Sequence, residues 1–95
     1  MIRHVVFFSA KDKKDIETIM QGLMKLKSIP HSAYFAVSKN LQTDTLTGDA
    51  VEVIVYAEFS NEAQLAAYKA HPTYQDAIDI VRPLRELRMA ADFIT

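Results

Sequence analysis

The chain has 95 residues, 49% hydrophobic and 24% charged, which predicts one folded domain over residues 1–95 and excludes intrinsic disorder. A net charge of −1 without a basic run argues against nucleic acid as a partner, and the absence of cysteine excludes disulfides and thiolate chemistry. No apolar run is long enough for a signal peptide or a membrane span. We therefore expect a cytoplasmic protein with no membrane contact.

The first half of the chain predicts three strands and one helix. Residues 2–9 are rich in β-branched and aromatic side chains, which is typical of a strand. Asp12 is expected to cap a helix that ends at Pro30, because apolar residues recur at helical spacing between them. Residues 32–38 and 51–59 alternate between apolar and smaller or polar side chains and predict the second and third strands.

The remaining segments complete the fold. Residues 39–49 are polar, so we expect the longest and most mobile loop there. Residues 61–69 and 72–81 predict two consecutive helices, and residues 87–94 predict a fourth strand. The order strand, helix, strand, strand, helix, strand is typical of an α+β, ferredoxin-like fold: a four-stranded antiparallel sheet with helices on one face.

The predicted sheet is apolar on both faces. Side chains alternate in direction along a strand, and two helices can cover only one face. An exposed patch of large apolar side chains usually marks an interface. We therefore expect a homodimeric α/β barrel in which the sheets of two copies pack together, the alternative being a monomer with an apolar outer face. The outer face would carry Val5, Phe7, Tyr34, Ile54, Tyr56, Met89 and Phe93.

Several short segments also resemble a known family. They are IRHVVFF at residues 2–8, Ile29-Pro30, Glu58-Phe59, YKAHP at residues 68–72, VRP at residues 81–83 and Asp92-Phe93. Together they resemble the stress-responsive dimeric α/β-barrel (Dabb) domain over nearly the whole chain, and the tyrosine-x-x-histidine-proline segment is the most specific part. The resemblance implies a ferredoxin-like fold and a homodimer, whereas most members of the family have no assigned reaction.

One branch of that family is a plant polyketide cyclase that forms olivetolic acid with a tyrosine and a histidine in a pocket inside each subunit. The resemblance places this tyrosine at Tyr68 and the histidine at Tyr74. A phenol has a reference pKa near ~10, so it rarely removes a proton at neutral pH, and cyclase chemistry does not carry over. A further pocket histidine falls on Val53, whereas the one on the first strand is kept as His4.

The candidate catalytic residues are His4, Tyr68 and Tyr74. On the helix-facing side of the first strand, His4 could act as a neutral proton shuttle, or it could be a core histidine bonded to backbone or a tyrosine. Around these residues we predict an apolar pocket for a small molecule, the alternative being a filled core. The predicted pocket lining consists of Val6, Phe8, Ile19, Leu23, Phe35, Val55 and His71.

The other histidines carry weaker predictions. His71 precedes Pro72 at a corner between two helices, where it could enter the pocket or bond to the free carbonyls that end the preceding helix. His31 follows a proline and is expected to be exposed. The histidines and carboxylates lack metal-binding spacing, and no glycine-rich loop is present, so we predict neither a metal nor a cofactor.

Three functions stay open at this stage. The first is a non-enzymatic dimeric barrel linked to stress or binding a small apolar molecule. The second is a cofactor-independent enzyme, either a lyase or cyclase or a monooxygenase like those on related dimeric barrels, that uses His4 and Tyr68. The third is a structural module that meets a partner protein through residues 39–49. The missing base at Tyr74 favours the first over the second.

Overall fold

The computed structural model of the chain describes residues 1–46 and 50–95. Residues 47–49, part of the predicted loop, lie outside the described residues. No helix of the described part is long and apolar enough to cross a membrane. The elements are β1 (Ile2–Ala10), α1 (Ile16–Met24), β2 (Tyr34–Lys39), β3 (Val53–Phe59), α2 (Glu62–Ala70), α3 (Pro72–Val81) and β4 (Arg85–Ile94), with short 3-10 turns at Lys13–Asp15 and Lys25–Ser28 on either side of α1.

The four strands form one antiparallel sheet in the order β2-β3-β1-β4. The two central strands pair from Ile2 opposite Phe59 to Phe8 opposite Val53. The first and last strands pair from Ile2 opposite Ile94, so that the ends of the chain lie side by side. This sheet and its helices form the predicted ferredoxin-like fold, which is confirmed.

A β-bulge interrupts the pairing of β1 with β4. Phe8 lies opposite Arg88 and Ala10 lies opposite Arg85, so one residue of β1 faces two residues of β4. The hydroxyl of Ser9 accepts a hydrogen bond of 3.0 Å from the backbone N–H of Leu87, which supplies a partner at the irregularity. Because side chains alternate along a regular strand, an extra residue changes which ones share a face.

The ends of the elements differ slightly from the prediction. The carboxylate of Asp12 accepts the N–H of Lys14 and caps the 3-10 turn that precedes α1, not α1 itself. Strand β4 begins two residues earlier than expected, at Arg85, because it continues past the bulge. Asn61 caps α2 as predicted, with its side chain accepting the N–H of Gln64.

The core lies between the sheet and the helices. The helix-facing side chains of β1 and β3 are buried, including Val6, Phe8 and Val55, as the predicted alternation requires. Gly22 lets α1 approach α3 closely, since a Cβ atom there would lie 2.9 Å from Cγ2 of Ile80. The sheet face that the helices leave uncovered is the outer face, where Tyr34, Met89 and Phe93 are exposed. The helix-covered face is called the inner face below.

Candidate functional site

A cavity of about 290 Å³ lies between the inner face of the sheet and the helices. Strands β1 and β3 supply one wall, the end of α1 and the turn after it supply another, and α2, α3 and the start of β4 complete the lining. Most of the wall is aliphatic or aromatic, with a few polar side chains. The lining residues are His4, Val6, Phe8, Leu23, Leu26, Val55, Tyr68, Tyr74, Ala77, Ile78, Val81, Arg82, Arg85 and Arg88.

The structure brings most of the predicted site residues together around this cavity. The three candidate catalytic residues His4, Tyr68 and Tyr74 all line it. They come from β1, α2 and α3, and the break between the two helices brings the two tyrosines to the same wall. Four of the predicted lining residues, Val6, Phe8, Leu23 and Val55, lie on the wall as well.

Three predicted lining residues do not reach the cavity. Phe35 lies on the edge strand β2, which β3 separates from β1, so its ring packs into a different part of the core. Ile19 lies about one turn of α1 before Leu23 and is packed in the core. His71 turns toward the backbone, since its Nδ1 accepts the N–H of Thr73 at 3.1 Å.

His71 does bond to a carbonyl that ends α2, but through its backbone N–H, which donates to the carbonyl of Tyr68 at 3.3 Å. Its ring caps the beginning of α3, where the first N–H groups lack partners within the helix. The nearby His31 is half-buried rather than exposed. Its Nδ1 lies 3.2 Å from Oε1 of Gln64, and its ring centroid lies 6.3 Å from that of His71. Both histidines serve the packing around this helix corner.

His4 is held by a carboxylate that the sequence analysis missed. The side chain is 1% exposed, and its Nδ1 lies 2.5 Å from Oδ1 of Asp92. Because a carboxylate only accepts hydrogen bonds, Nδ1 is the donor in this contact, which leaves Nε2 as the ring nitrogen free for other partners. His4 and Asp92 lie directly opposite each other in the pairing of β1 with β4. Knowing the register of that pairing would therefore have identified Asp92 as the partner of His4.

Tyr68 is a phenol that is only 1% exposed and lines the cavity. Within residues 1–46 and 50–95 its hydroxyl forms no hydrogen bond, yet no fully buried side-chain N or O atom there lacks a partner, so this hydroxyl borders the open space of the cavity. Its ring packs against those of Phe59 and Tyr74, at centroid distances of 5.0 and 5.3 Å. Burial raises the pKa of Tyr68 above its usual value, the Tyr74 phenol raises it further, and the cation of Arg88 partly opposes this. The hydroxyl is therefore a neutral donor at the cavity wall.

The sequence analysis also missed three arginines. Arg82, Arg85 and Arg88 line the cavity, and none of them forms an ion pair with any residue that the structure describes. Within those same residues, no carboxylate lines the cavity either. Burial lowers the pKa of Arg85, and the neighbouring cations Arg88 and Arg82 lower it further. Their spacing of three residues was visible, but the strand alternation predicts different faces for Arg85 and Arg88.

No cluster of three or more histidine, aspartate or glutamate side chains in the described part of the chain could hold a metal ion. The side chains of the cavity offer chemistry of three kinds. A neutral phenol can donate a hydrogen bond or a proton, and an imidazole held at Nδ1 can accept a proton at Nε2. Guanidinium groups can bind an anion.

Comparison with known proteins decides the family. A family model for the stress responsive A/B barrel domain, Dabb, matches residues 2–95. The chain belongs to the Dabb family. The resemblance predicted from short sequence segments is thereby confirmed over essentially the whole chain. No curated protein sequence matches this Dabb protein.

Solved structures share the fold of this Dabb protein. A dimeric ferredoxin-like protein of unknown function from Thermobifida fusca has a TM-score of 0.82 at 26% identity, over 99% of this chain and 90% of that chain. A dimeric ferredoxin-like protein of unknown function from Jannaschia sp. CCS1 has a TM-score of 0.86 at 19% identity, over 99% and 98%. Hydroxynitrile lyase from Passiflora edulis has a TM-score of 0.78 at 19% identity, over 99% and 92%.

Proposed function

We propose that this Dabb protein is a homodimer that binds a small, largely apolar molecule in the cavity of each subunit. The observation that carries the proposal is the Tyr68 hydroxyl, which borders the cavity and forms no hydrogen bond to the described residues. Small-molecule sites typically place a few such polar groups on an otherwise apolar wall, where they orient the ligand. A ligand with a hydrogen-bond acceptor beside this hydroxyl would supply the partner.

The size and lining of the cavity support a small organic ligand. A volume of about 290 Å³ lies at the lower end of the range of about 300–1,000 Å³ that is typical of small-molecule sites. The aliphatic wall formed by Val6, Leu23, Val55 and Val81 favours an apolar body. Such sites typically combine an apolar lining with a few polar groups that orient the ligand.

The outer face of the sheet supports the homodimer. Tyr34, Met89 and Phe93 are 53%, 58% and 47% exposed in the single chain, and they lie on the face that no helix covers. The structures from Thermobifida fusca and Jannaschia sp., which share this fold, are described as dimeric. Packing two such sheets face to face would remove this apolar surface from water. Analytical ultracentrifugation tests the proposal, and a monomer at micromolar concentration would contradict it.

Native mass spectrometry tests the ligand proposal. We expect the protein, after incubation with a small-molecule extract of its host, to carry an added mass on each subunit. The variant Ala77→Leu, which fills part of the cavity, should lose the added mass. Ala66→Leu, on the exposed side of α2, is the matched control and should keep it. An added mass that persists in Ala77→Leu would place the ligand elsewhere, and none on the wild-type protein would contradict binding.

The pairing of His4 with Asp92 favours a second candidate, a cofactor-independent enzyme of the lyase type. The carboxylate orients the ring so that Nε2 is the proton acceptor, and Tyr68, which also lines the cavity, is a neutral proton donor. A base and an acid on the same cavity are the elements of general acid–base catalysis. The hydroxynitrile lyase from Passiflora edulis shares the fold and makes hydroxynitriles a reasonable first class of substrate.

Cyanide release from aliphatic and aromatic hydroxynitriles tests the enzymatic candidate. If it holds, wild type should release cyanide above the uncatalysed rate, and His4→Ala should lose this release. Asp92→Asn should lower the rate, because an amide orients the imidazole without the carboxylate charge. Asp76→Asn, on an exposed position of α3, is the control and should leave the rate unchanged. Release at the uncatalysed rate would leave the binding function as the only one supported.

Two further predictions stand beside these proposals. We propose a cytoplasmic location, for which the supporting observations are the composition and the lack of cysteine. We also expect no nucleic-acid partner, because the net charge is near neutral, and filter binding with duplex and single-stranded DNA would test this expectation.

A further inference from the structure

Three arginines of this chain come together at one side of the cavity. Arg82 follows α3 directly, and Arg85 and Arg88 belong to β4. Arg82 and Arg88 are exposed and Arg85 is half-buried, so they mark the side of the cavity that opens toward solvent. A guanidinium group stays protonated at any physiological pH and presents several donors in a planar fork. The cavity therefore has an apolar interior and a cationic opening.

The β-bulge explains why two of these side chains share a face. Residues three apart on a regular strand point to opposite sides of the sheet. The extra residue of β4 opposite Ser9 shifts the alternation between Arg85 and Arg88, and both then line the cavity. The Ser9 hydroxyl supports the bulge by accepting the N–H of Leu87. Bulges often re-aim side chains beside functional sites.

The three arginines of the cationic opening form no ion pair with a described residue. Elsewhere in the described part of the chain, carboxylates pair with Arg3, His4 and lysines. These carboxylates are Asp12, Glu17, Glu52, Glu58 and Asp92. Arg85 lies near two other cations, which disfavours its own charged form. Like charges held close together repel one another. An anion bound between the arginines would attract each of them and so offset this repulsion.

We propose that the ligand of the cavity is amphipathic and carries an oxyanion group, a carboxylate or a phosphate. Arg85 and Arg88 hold this group at the opening, with Arg82 beside them. The apolar part of the ligand extends inward along the aliphatic wall toward Tyr68. This inference rests on the proposed binding function and adds the chemical class of the ligand. Guanidinium groups are well suited to it, because they bind carboxylates and phosphates through paired, charge-assisted hydrogen bonds.

Matched probes that differ only in the head group test the inference. Binding of octanoate, octyl phosphate and 1-octanol is measured by two-dimensional amide NMR titration, with 2-naphthoate and 2-naphthol as a second, aromatic pair. We expect each oxyanion probe to bind at least about tenfold more tightly than its neutral counterpart, which corresponds to about 1.4 kcal/mol. Added salt should weaken octanoate but not 1-octanol. The comparison of octanoate with octyl phosphate distinguishes the two oxyanions.

The variant Arg85→Gln/Arg88→Gln should abolish the preference for the oxyanion probes while 1-octanol binds as before. Its matched control is Lys27→Gln/Lys69→Gln, which removes the same charge at exposed positions outside the cavity lining and should keep the preference. If the double arginine variant unfolds, the single variants Arg82→Gln, Arg85→Gln and Arg88→Gln give the same comparison, each with a smaller expected effect.

The outcomes separate this inference from the function on which it rests. Equal affinity for octanoate and 1-octanol would overturn the oxyanion inference and leave the apolar binding function intact. A preference that survives in Arg85→Gln/Arg88→Gln would overturn it as well, since other groups would then hold the anion. Failure of all five probes to shift any residue of the cavity wall would count against both proposals.

Discussion

The two faces of the sheet differ in whether their arginines form ion pairs within the chain. On the outer face, the guanidinium of Arg3 donates hydrogen bonds to the carboxylate of Glu58 and the hydroxyl of Tyr56, so its charge is compensated within the chain. On the inner face, Arg85 and Arg88 line the cavity without an ion pair to any described residue. The arginine of the outer face is therefore paired within the chain, whereas these two arginines of the inner face are not.

The apolar side chains show the reverse contrast. On the inner face, Phe8, Val55 and Phe59 are almost completely buried by the helices. On the outer face, Met89 and Phe93 stay exposed in the single chain. Each face therefore lacks one kind of partner: the outer face lacks an apolar cover, which a second copy would provide, and the inner face lacks an anion, which a ligand would provide. The following predictions separate the two requirements.

The largest effect is expected from Phe7→Asp on the outer face. Phe7 lies on the face where we propose that two sheets meet, and an unpaired carboxylate buried there would be strongly unfavourable. We expect loss of the dimer and of most of the folded structure, measured by size-exclusion chromatography and circular dichroism. Ala66→Asp, at an exposed position of α2, is the control and should stay dimeric. An unchanged dimer in Phe7→Asp would show that this face is not the interface.

The second prediction concerns the inner face. Phe59 is fully buried, so Phe59→Ala should lower the free energy of unfolding by about 3–5 kcal/mol through lost burial and the remaining cavity. Urea denaturation measures the change. Phe93→Ala on the outer face is the comparison, and its effect should depend on protein concentration, because the proposed dimer buries that ring. A concentration-independent effect at Phe93 would weaken the proposed role of the outer face.

A smaller effect is expected when His4 loses its partner. Asp92→Ala should lower the free energy of unfolding by about 1–3 kcal/mol, because Nδ1 of a fully buried imidazole then lacks an acceptor. Chemical denaturation measures this change, with Asp76→Ala on the exposed side of α3 as the control. Equal stability of the two variants would show that the pair contributes no more than an exposed carboxylate.

The smallest effect near neutral pH is expected from Tyr68→Phe. The hydroxyl has no partner in the described residues, so its removal should change the free energy of unfolding by less than about 1 kcal/mol while weakening ligand binding. Equal ligand affinity in Tyr68→Phe and wild type would show that this hydroxyl does not contact the ligand.

The same residue predicts a dependence on alkaline pH. Because the pKa of Tyr68 is raised in the folded chain, the unfolded chain loses this proton first, at about pH 10. The contribution of Tyr68 to stability is therefore complete below that pH and decreases as the pH rises above it. Urea denaturation at pH 8 and at pH 11 should show a smaller decrease for Tyr68→Phe than for wild type.

Local periodicity was sufficient for the fold and for much of the cavity wall. The alternation in β1 and β3 assigned Val6, Phe8 and Val55 to the inner face, as the structure has them. The alternation in β2 and β4 assigned Tyr34, Met89 and Phe93 to the outer face, which is also correct. The short motif at residues 68–72 correctly indicated the family. These properties depend on residues that are close in sequence, or on a pattern that repeats along one element, and both can be read without knowing how elements pair.

The polar groups of the site were decided only by the tertiary structure. The contact of His4 with Asp92 joins residues that are 88 positions apart in the chain, and it depends on the register between β1 and β4. The common face of Arg85 and Arg88 depends on a bulge, which no alternation pattern predicts. Phe35 does not line the cavity because its strand lies at the edge of the sheet. The His71 side chain does not line it because the ring accepts the backbone N–H of Thr73 at the start of α3. In each case the position of a side chain depends on an element distant in sequence or on an unpaired backbone group, which composition and periodicity do not encode.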